Sequence, residues 1–311
     1  MTITVASYLM GIPPGNTNLE KPAIIVNFIE GVWRAGDDGT IVTDYTPVNT
    51  DVAVIQGFVH ENSKNAPHLQ LRKAVYENQI ANKKRTIIVD SNLFLYADPK
   101  NTNKFLRYSY DGIFPNTGEY CNSDPDPSRW ELIKDKLGID LKPWNIGSGK
   151  TILICCQRNG GWSMNGQQLI PWLLKTIRSV QLFTKKPIVV RFHPGDKKAK
   201  DHSRTLSRYK LKNVSISSAE NLTHDLVDAH AVISYNSSPG VVAAIEGVPV
   251  FVLDPQRSQA SPVAHTNLRD LDNPREFDRS VWIQQMAQMH WTLDELKDGT
   301  AWKHLRQWAI K

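Results

Sequence analysis

The sequence predicts an α/β protein of two domains facing a cleft. Three observations carry this expectation. At 311 residues the chain exceeds the roughly 250–300 residues at which a single core stops growing. Short apolar runs alternate with helical stretches, as they do in βαβ units around a parallel sheet. Between them, Lys142–Lys150 (KPWNIGSGK) supplies Pro, Gly and Ser without periodicity, as linkers do. The expected domains are therefore 1–145 and 146–284.

Taken in order, the first half opens with a strand around Thr2–Tyr8, the loop GIPPGNTN and a helix over Ala23–Trp33. Asp37-Asp38-Gly39 reads as a hairpin turn between GVWRAG and TIVTDY. Asp51–Val59 is a buried strand, Pro67–Ala81 a helix, Arg85–Val89 a strand and Arg107–Ile113 strand-like. Pro127–Leu137 is a short helix, with Ser128 as N-cap and Glu131 at capping-box spacing. The second half gives strands at Thr151–Cys156, Lys186–Phe192, Val214–Ile216 and Ala231–Tyr235, with helices over Gly166–Gln181 and Leu222–His230. The stretch NSSPGVVAAIEGVPVFVLD (Asn236–Asp254) then supplies one more helix and strand. Asn273-Pro274-Arg275-Glu276 reads as the opening of a helix through His290. Thr292 with Glu295 caps another that reaches Trp302, and Trp282, Met286, Met289 and Trp302 belong to the core.

Composition narrows the class. The 41% hydrophobic and 22% charged residues fit a soluble globular chain. No apolar run reaches the about 20 residues of a membrane span, and MTITVASYLMG lacks a signal peptide's basic start, so no membrane is expected. Three cysteines, Cys121, Cys155 and Cys156, make no disulfide framework and fit a reducing cytoplasm. No Cys/His spacing suggests zinc, and no metal is expected to be required. The net charge of +6 and pI of about 9.1 tilt the partner toward an anion such as nucleic acid, a phosphorylated sugar or an acidic polymer, although many enzymes carry a small positive excess. Local clusters stand at Lys83-Lys84-Arg85 and at Lys197-Lys198 with Lys200.

Three strand ends in the second half carry chemistry. After Ala231–Tyr235 come Ser237, Ser238, Pro239 and Gly240. Proline suits a first helical position, and a helix N-terminus with two hydroxyls and a glycine suits an anion. Ser238 as a plain cap is the alternative. After Thr151–Cys156 come Gln157, Arg158, Asn159, Gly160 and Gly161, where a glycine pair and a fixed positive charge suit a diphosphate or sugar, although G-x-G-x-x-G is absent. An ordinary strand-to-helix loop explains these residues as well. After Lys186–Phe192, Arg191 and His193 flank Phe192 before a Pro-Gly turn, where an imidazole can donate to a phosphate or leaving group. A lone histidine is more often structural. Together the three ends point to a nucleotide mono- or diphosphate ligand.

This order of a Gly-rich loop, an HP motif, Ser217-Ser218 and NSSPGVVAAIEGVPVFV resembles the donor-binding domain of GT-B glycosyltransferases, over about Thr151–Asp254. HP with a Ser-Ser pair is also similar to bacterial sialyltransferases and capsule-type Kdo transferases. The pieces YSYDGIFPNTGEYC, the Trp130 helix, LICCQRNGGWSM and WIQQMAQMHWTLDELKDGTAWKHL look like marine-phage glycosyltransferases associated with modified bases in phage DNA. The resemblance implies two Rossmann-like domains in a GT-B arrangement, with a tail of about 285–311 packing back on the first. It implies a nucleotide-sugar donor of UDP or CMP type, with no tightly bound cofactor. The donor residues it implies are Gln157, Arg158, Gly160, Gly161, Arg191, His193, Ser217, Ser237, Ser238, Gly240 and Glu246. An acid shortly after the glycine is usual; here Val241 and Val242 follow, and Glu246 comes later. The implied acceptor is a hydroxymethylated base in duplex DNA, in a phage-infected host's cytoplasm if the chain is phage-encoded. The candidate DNA contacts are Arg72, Lys73, Lys83, Lys84, Arg85, Lys104 and Arg107. A capsule or surface glycan acceptor, a sugar epimerase and a non-catalytic nucleotide-binding module are the alternatives.

An inverting transferase needs a base on the acceptor side. Asp111 before a Gly turn, Asp90 after the RTIIV strand and His60 after DVAVIQGFV are the candidates, in that order. Each also reads as an ordinary turn, cap or loop residue.

Overall fold

The computed structural model describes residues 1–12, 20–57, 66–159 and 162–310. The chain divides into two compact units, Met1–Leu137 with Gln284–Lys311, and Gly138–Ile283. The division falls just after the Pro127–Leu137 helix, ahead of the expected linker. The reason is visible in the hydrogen bonds of 142–145, which hold that stretch to the second unit. The Lys142 N–H donates to the Ile245 carbonyl (2.9 Å), the Asn145 N–H to Gly247 (2.7 Å) and the Trp144 indole to Phe277 (2.8 Å).

The strands, in chain order, are β1 (Thr4–Tyr8), β2 (Asp38–Val42), β3 (Val52–Gln56), β4 (Arg85–Asp90), β5 (Leu106–Tyr110), β6 (Thr151–Cys155), β7 (Ile188–Arg191), β8 (Val214–Ile216), β9 (Ala229–Ser234), β10 (Val250–Val252) and β11 (His290–Trp291). In the first unit they form one sheet in the order β11-β5-β4-β3-β1-β2. β1 to β4 are mutually parallel, β5 runs antiparallel to β4, and β11 runs antiparallel to β5. The Val/Ile runs of β3 and β4 are buried almost end to end, as strands covered on both faces must be. The chain passes from β1 out to β2 and then returns to β3 on the other side of β1. The strand order therefore switches between β1 and β3, where α/β sheets place their ligand crevices at the carboxyl edge.

Asp37-Asp38-Gly39 is no hairpin turn. Residues 38 and 39 open β2, which runs parallel to β1, and Asp37 is a buried strut. Its carboxylate accepts from the Ile3 N–H (2.9 Å), from the Trp302 indole (2.9 Å) and from the Arg306 guanidinium (2.5 and 3.0 Å). The Pro127–Leu137 helix is held by Asp126, whose carboxylate accepts the Ser128 N–H at 2.9 Å, so the capping acid lies two residues before the expected cap. The helix expected from Asn273 begins only at Ser280 and ends at Gln288, and β11 follows it. The Thr292–Glu295 capping box forms. Gly299, at φ +88°, ends that helix and starts Thr300–Leu305, which buries Trp302 against Phe28 at 5.8 Å between ring centroids.

The second unit is a fully parallel five-stranded sheet in the order β10-β9-β6-β7-β8. Helices Leu169–Phe183, Ala199–Arg208, Leu222–Leu226 and Pro239–Ile245 connect the strands. The Ala199–Arg208 helix has no counterpart in the sequence reading, because Leu206 is its one buried apolar anchor. From β6 the chain moves outward through β7 to β8, then returns to β9 on the other side of β6. The switch point lies between β6 and β9.

Candidate functional site

The loops after β9, β6 and β7 sit side by side on the carboxyl edge of the second sheet. At about 4.8 Å per strand spacing they span about 10 Å, the scale of a nucleotide's phosphates and sugar. Asn236, directly after β9, joins the edge together. Its amide N donates to Asp254 Oδ2 and to the Ser163 carbonyl, both at 3.0 Å, and its Oδ1 accepts from Gln157 Nε2 at 2.8 Å. One side chain thus ties the loops after β6, β9 and β10. Two polar atoms beside it, Gln157 Oε1 and Ser237 Oγ, are buried with no hydrogen-bond partner among the described residues. Other buried polar atoms, Ser7 Oγ and Arg107 Nε among them, also lack a partner among the described residues, so what sets this pair apart is its place at the β6/β9 switch point.

His193 is set for donation. Its Nδ1 accepts the Gly195 N–H at 2.9 Å, which leaves the proton of the neutral ring on Nε2. Burial lowers its pKa and the neighbouring Arg158 lowers it further, against Asp196, so the ring is neutral at physiological pH. Gly195 packs against both partners: a Cβ there would lie 2.7 Å from Arg158 Nη2 and 3.1 Å from His193 Cε1. Arg158 itself is exposed. Asp196 accepts the Lys198 N–H at 2.9 Å and stands 3.3 Å from His202 Nδ1, which fixes the far side of the loop.

Ser238 is exposed and makes no side-chain cap at the helix it precedes, so capping does not account for it. Other expected donor residues have different work. Gly240 is buried where a Cβ would meet Ser234 Oγ at 3.1 Å and Ala260 and Val250 at 3.3 Å, so it brings helix to sheet instead of backbone to phosphate. Glu246 lies at the opposite end of its seven-residue helix and pairs with Lys142. Arg191 is spent on its own unit: Nη1 donates to Asp225 Oδ2 (2.6 Å) and the Ala219 carbonyl (2.9 Å), and Nη2 to the Glu220 carbonyl (2.9 Å). Ser217 Oγ binds the same Asp225 at 2.7 Å. Arg191 and Ser217 therefore shape the loop after β8. Gly160 and Gly161 lie outside the described residues.

In the first unit the three candidate bases part company. Because β5 is antiparallel, Asp111 at its end falls on the amino edge of β4, where it accepts the Thr86 N–H (2.9 Å) and pairs with Arg85 (3.0 Å). It holds an unusual φ of +61° and lines a cavity of about 710 Å³ with Tyr76, Ile80, Lys83, Lys84 and Thr117. Asp90 ends β4 on the carboxyl edge and pairs with Arg107. His60 lies outside the described residues. Of the seven candidate DNA contacts the three arginines are internal, and the four lysines are exposed or half-buried. Arg85 and Arg107 are buried in those two ion pairs, and buried Arg72 donates from Nε to the Gly11 carbonyl at 2.7 Å. Lys84 pairs with Asp51, and Lys73 lies 3.7 Å from Glu77. Lys83 and Lys104 both adopt positive φ.

Sequence reasoning missed Asn236 and Asp254, which carry the edge's network. Their signal was position alone, immediately after β9 and β10. Among the described residues no three His, Cys, Asp or Glu side chains converge as metal ligands, and no helix is long and apolar enough to cross a membrane. All three cysteines are buried as free thiols, and burial pushes Cys155 up to about 12.

No family model matches the chain, and no curated protein sequence matches it. Solved structures do. The β-Kdo 2,4 transferase of Thermosulfurimonas dismutans KpsC shares 11% identity at a TM-score of 0.55, covering 93% of this chain and 90% of that one. The β-Kdo 2,7 transferase of the same KpsC shares 12% identity at a TM-score of 0.52, covering 96% and 98%. The fold class is GT-B. It consists here of two Rossmann-like units.

Proposed function

We propose that the chain is a glycosyltransferase that holds a nucleotide-activated sugar at the carboxyl edge of the second unit's sheet and transfers the sugar to a hydroxyl acceptor. The observation that carries this reading is the pair of unpartnered buried atoms, Gln157 Oε1 and Ser237 Oγ, at the β6/β9 switch point, with neutral His193 one strand away. Nε2–H of His193 donates to a phosphate oxygen, Arg158 supplies positive charge to the phosphates, and Ser237 and Ser238 add hydroxyl donors. As the glycosidic bond to the leaving nucleotide breaks, negative charge grows on the phosphate, so these donors strengthen in the transition state. The two KpsC domains that this fold resembles are Kdo transferases, which supports sugar transfer as the reaction here.

For the acceptor, a surface or capsule glycan is the favoured reading. Of the seven residues that would contact duplex DNA, burial withholds Arg72, Arg85 and Arg107 from a DNA backbone and leaves only Lys73, Lys83, Lys84 and Lys104. Asp90 is the base kept for the acceptor side, because it alone of the two described candidates stands at a parallel strand's carboxyl end. The test is mass spectrometry of glycan and hydroxymethylated DNA acceptors incubated with the protein and a panel of CMP- and UDP-sugars. A sugar-sized mass gain on a glycan is the expected result. Gain on DNA alone would replace the acceptor, and tight nucleotide binding without gain on any acceptor would make the chain a binding module.

A further inference from the structure

The carboxyl edge of the first sheet holds a buried guanidinium that the fold leaves without an acid. Arg72 stands on the Pro67–Ala81 helix, and its side chain crosses the switch point between β1 and β3. Its Nε donates to the Gly11 carbonyl, in the turn after β1, at 2.7 Å. A Cβ at Gly57, the residue after β3, would lie 2.9 Å from Arg72 Nη1, so the absence of a side chain there lets the guanidinium rest on the strand end.

The other buried arginines described in this unit each have a carboxylate: Asp111 for Arg85, Asp90 for Arg107 and Glu295 for Arg129. Arg72 is 6% exposed and has none among the described residues. Burial lowers its pKa to about 10, with no neighbouring acid to raise it. His68 lies four residues earlier on the same face of the helix. Its Nδ1 is buried without a partner among the described residues. Burial holds the ring below its usual pKa, and Arg72 and Lys21, in the first turn of the Glu20–Arg34 helix, push it the same way. A buried charge without a counter-charge is costly, and an anion removes that cost.

We propose that Arg72 and His68 form an oxyanion site that seats a carboxylate or a phosphate carried by the acceptor. A guanidinium fork holds either group through paired N–H bonds, and the imidazole adds a further donor. The Gly57 N–H donates to the Val89 carbonyl at 2.7 Å, so the crevice adjoins Asp90, the base on the acceptor side. An acceptor anchored by its anion is thereby oriented with a hydroxyl toward that base. This use of the site rests on the transferase reading, whereas the anion site does not. The depth of Arg72 selects a lone oxyanion over a duplex backbone or a bilayer surface, both of which need exposed charge.

The experiment is calorimetric titration of the full chain with glucuronate, with glucose 6-phosphate and with glucose. At least one of the two anions is expected to bind, and glucose to bind about tenfold more weakly or less. The tighter of the two names the oxyanion. Arg72→Met and His68→Ala should each weaken that anion about tenfold or more, with the affinity for CMP and UDP unchanged. His68→Ala keeps the Arg72–Gly11 bond and carries the test if Arg72→Met does not fold. Lys303→Ala, which removes an exposed charge from the same unit, should change anion binding by about twofold at most.

Binding of neither anion would overturn the site, as would glucose binding as tightly as both. An equal loss in Lys303→Ala would reduce the effect to net charge and overturn it too. Anion binding that survives in the Arg72 and His68 variants but is lost in His193→Ala would move the anion to the second unit. Failure of CMP and UDP to bind, with anion binding intact and sensitive to Arg72, would sink the transferase reading and leave this site standing.

Discussion

The carboxyl edges of the two sheets use the same kinds of residue for opposite ends. In the first unit, Arg107 is buried against Asp90 and Arg72 donates to the Gly11 carbonyl. In the second, Arg158 stands exposed beside a neutral imidazole, and two buried polar atoms at the switch point lack partners. A buried guanidinium needs acceptors, and within the first unit Arg107 finds one in Asp90 and Arg72 one in the Gly11 carbonyl, although Arg107 Nε has no partner among the described residues. The second edge differs in keeping an exposed arginine beside a neutral imidazole. An arginine beside a strand end is thus not evidence of a ligand site until its partners are known. Arg191 makes the point within the second unit itself, tied to Asp225 and two carbonyls.

Breaking a strut should be the largest effect. Asp37→Ala leaves Arg306 and the Trp302 indole without their acceptor and is expected to cost about 3–5 kcal/mol in denaturant unfolding, with nucleotide affinity of the surviving folded fraction unchanged. A loss under about 1 kcal/mol would mean that Asp37 bears no such load.

Next come the ligand donors. His193→Ala and Ser238→Ala are each expected to weaken binding of CMP or UDP by roughly ten- to a hundredfold by calorimetry, since a charge-assisted hydrogen bond contributes about 1.5–3 kcal/mol. Arg191→Lys should lower stability more than it lowers affinity. Equal affinity losses for Arg191→Lys and His193→Ala would erase the distinction between strut and donor.

The third effect is a pH dependence confined to the first unit. His290 is fully buried; its Nδ1 faces the Met286 carbonyl at 2.7 Å and its Nε2 accepts the Leu93 N–H at 3.1 Å, the pattern of a neutral ring. Burial holds its pKa down at about 3, with Arg107 and Arg129 acting in the same direction. The unfolded chain therefore takes up a proton below about pH 6.5 that the folded chain refuses, so stability falls with pH from there toward about 3, by up to about 1.4 kcal/mol per unit. Chemical unfolding between pH 6 and pH 4.5 should show a shallower slope for His290→Gln than for wild type. Identical slopes would place the proton elsewhere.

The smallest effect should come from Gly195→Ala. The added methyl displaces the flexible end of Arg158 and crowds His193, so nucleotide affinity should fall about tenfold or less with little change in stability. In an Arg158→Ala background the same substitution should cost less, and full additivity would separate the two residues.

Much of this architecture was legible in the sequence because it rests on local patterns. The Pro67–Ala81 and Pro127–Leu137 helices carry proline at their first turn, and the Thr292–Glu295 box is a local motif. Buried Val/Ile runs mark the strands. What the sequence hid depends on partners distant in the chain. Asp37 and Asp38 look like a turn until Trp302 and Arg306 arrive from 265 and 269 residues away. Asp111 looks like a strand-end base until β5 proves antiparallel, which moves it to the opposite edge. Gly240 and Glu246 belong to the quoted motif, yet one packs a helix on the sheet and the other pairs with Lys142. Asn236 is legible only once three loops are seen to meet on it.

The most direct measurement is a crystal structure of the protein with CMP or UDP bound. Phosphate oxygens are expected within hydrogen-bond distance of His193 Nε2 and the hydroxyls of Ser237 or Ser238, with Gln157 Oε1 satisfied by the ligand. A nucleotide resting instead in the first unit's cavity beside Tyr76, Lys83 and Asp111, with His193 and Ser237 untouched, would contradict it.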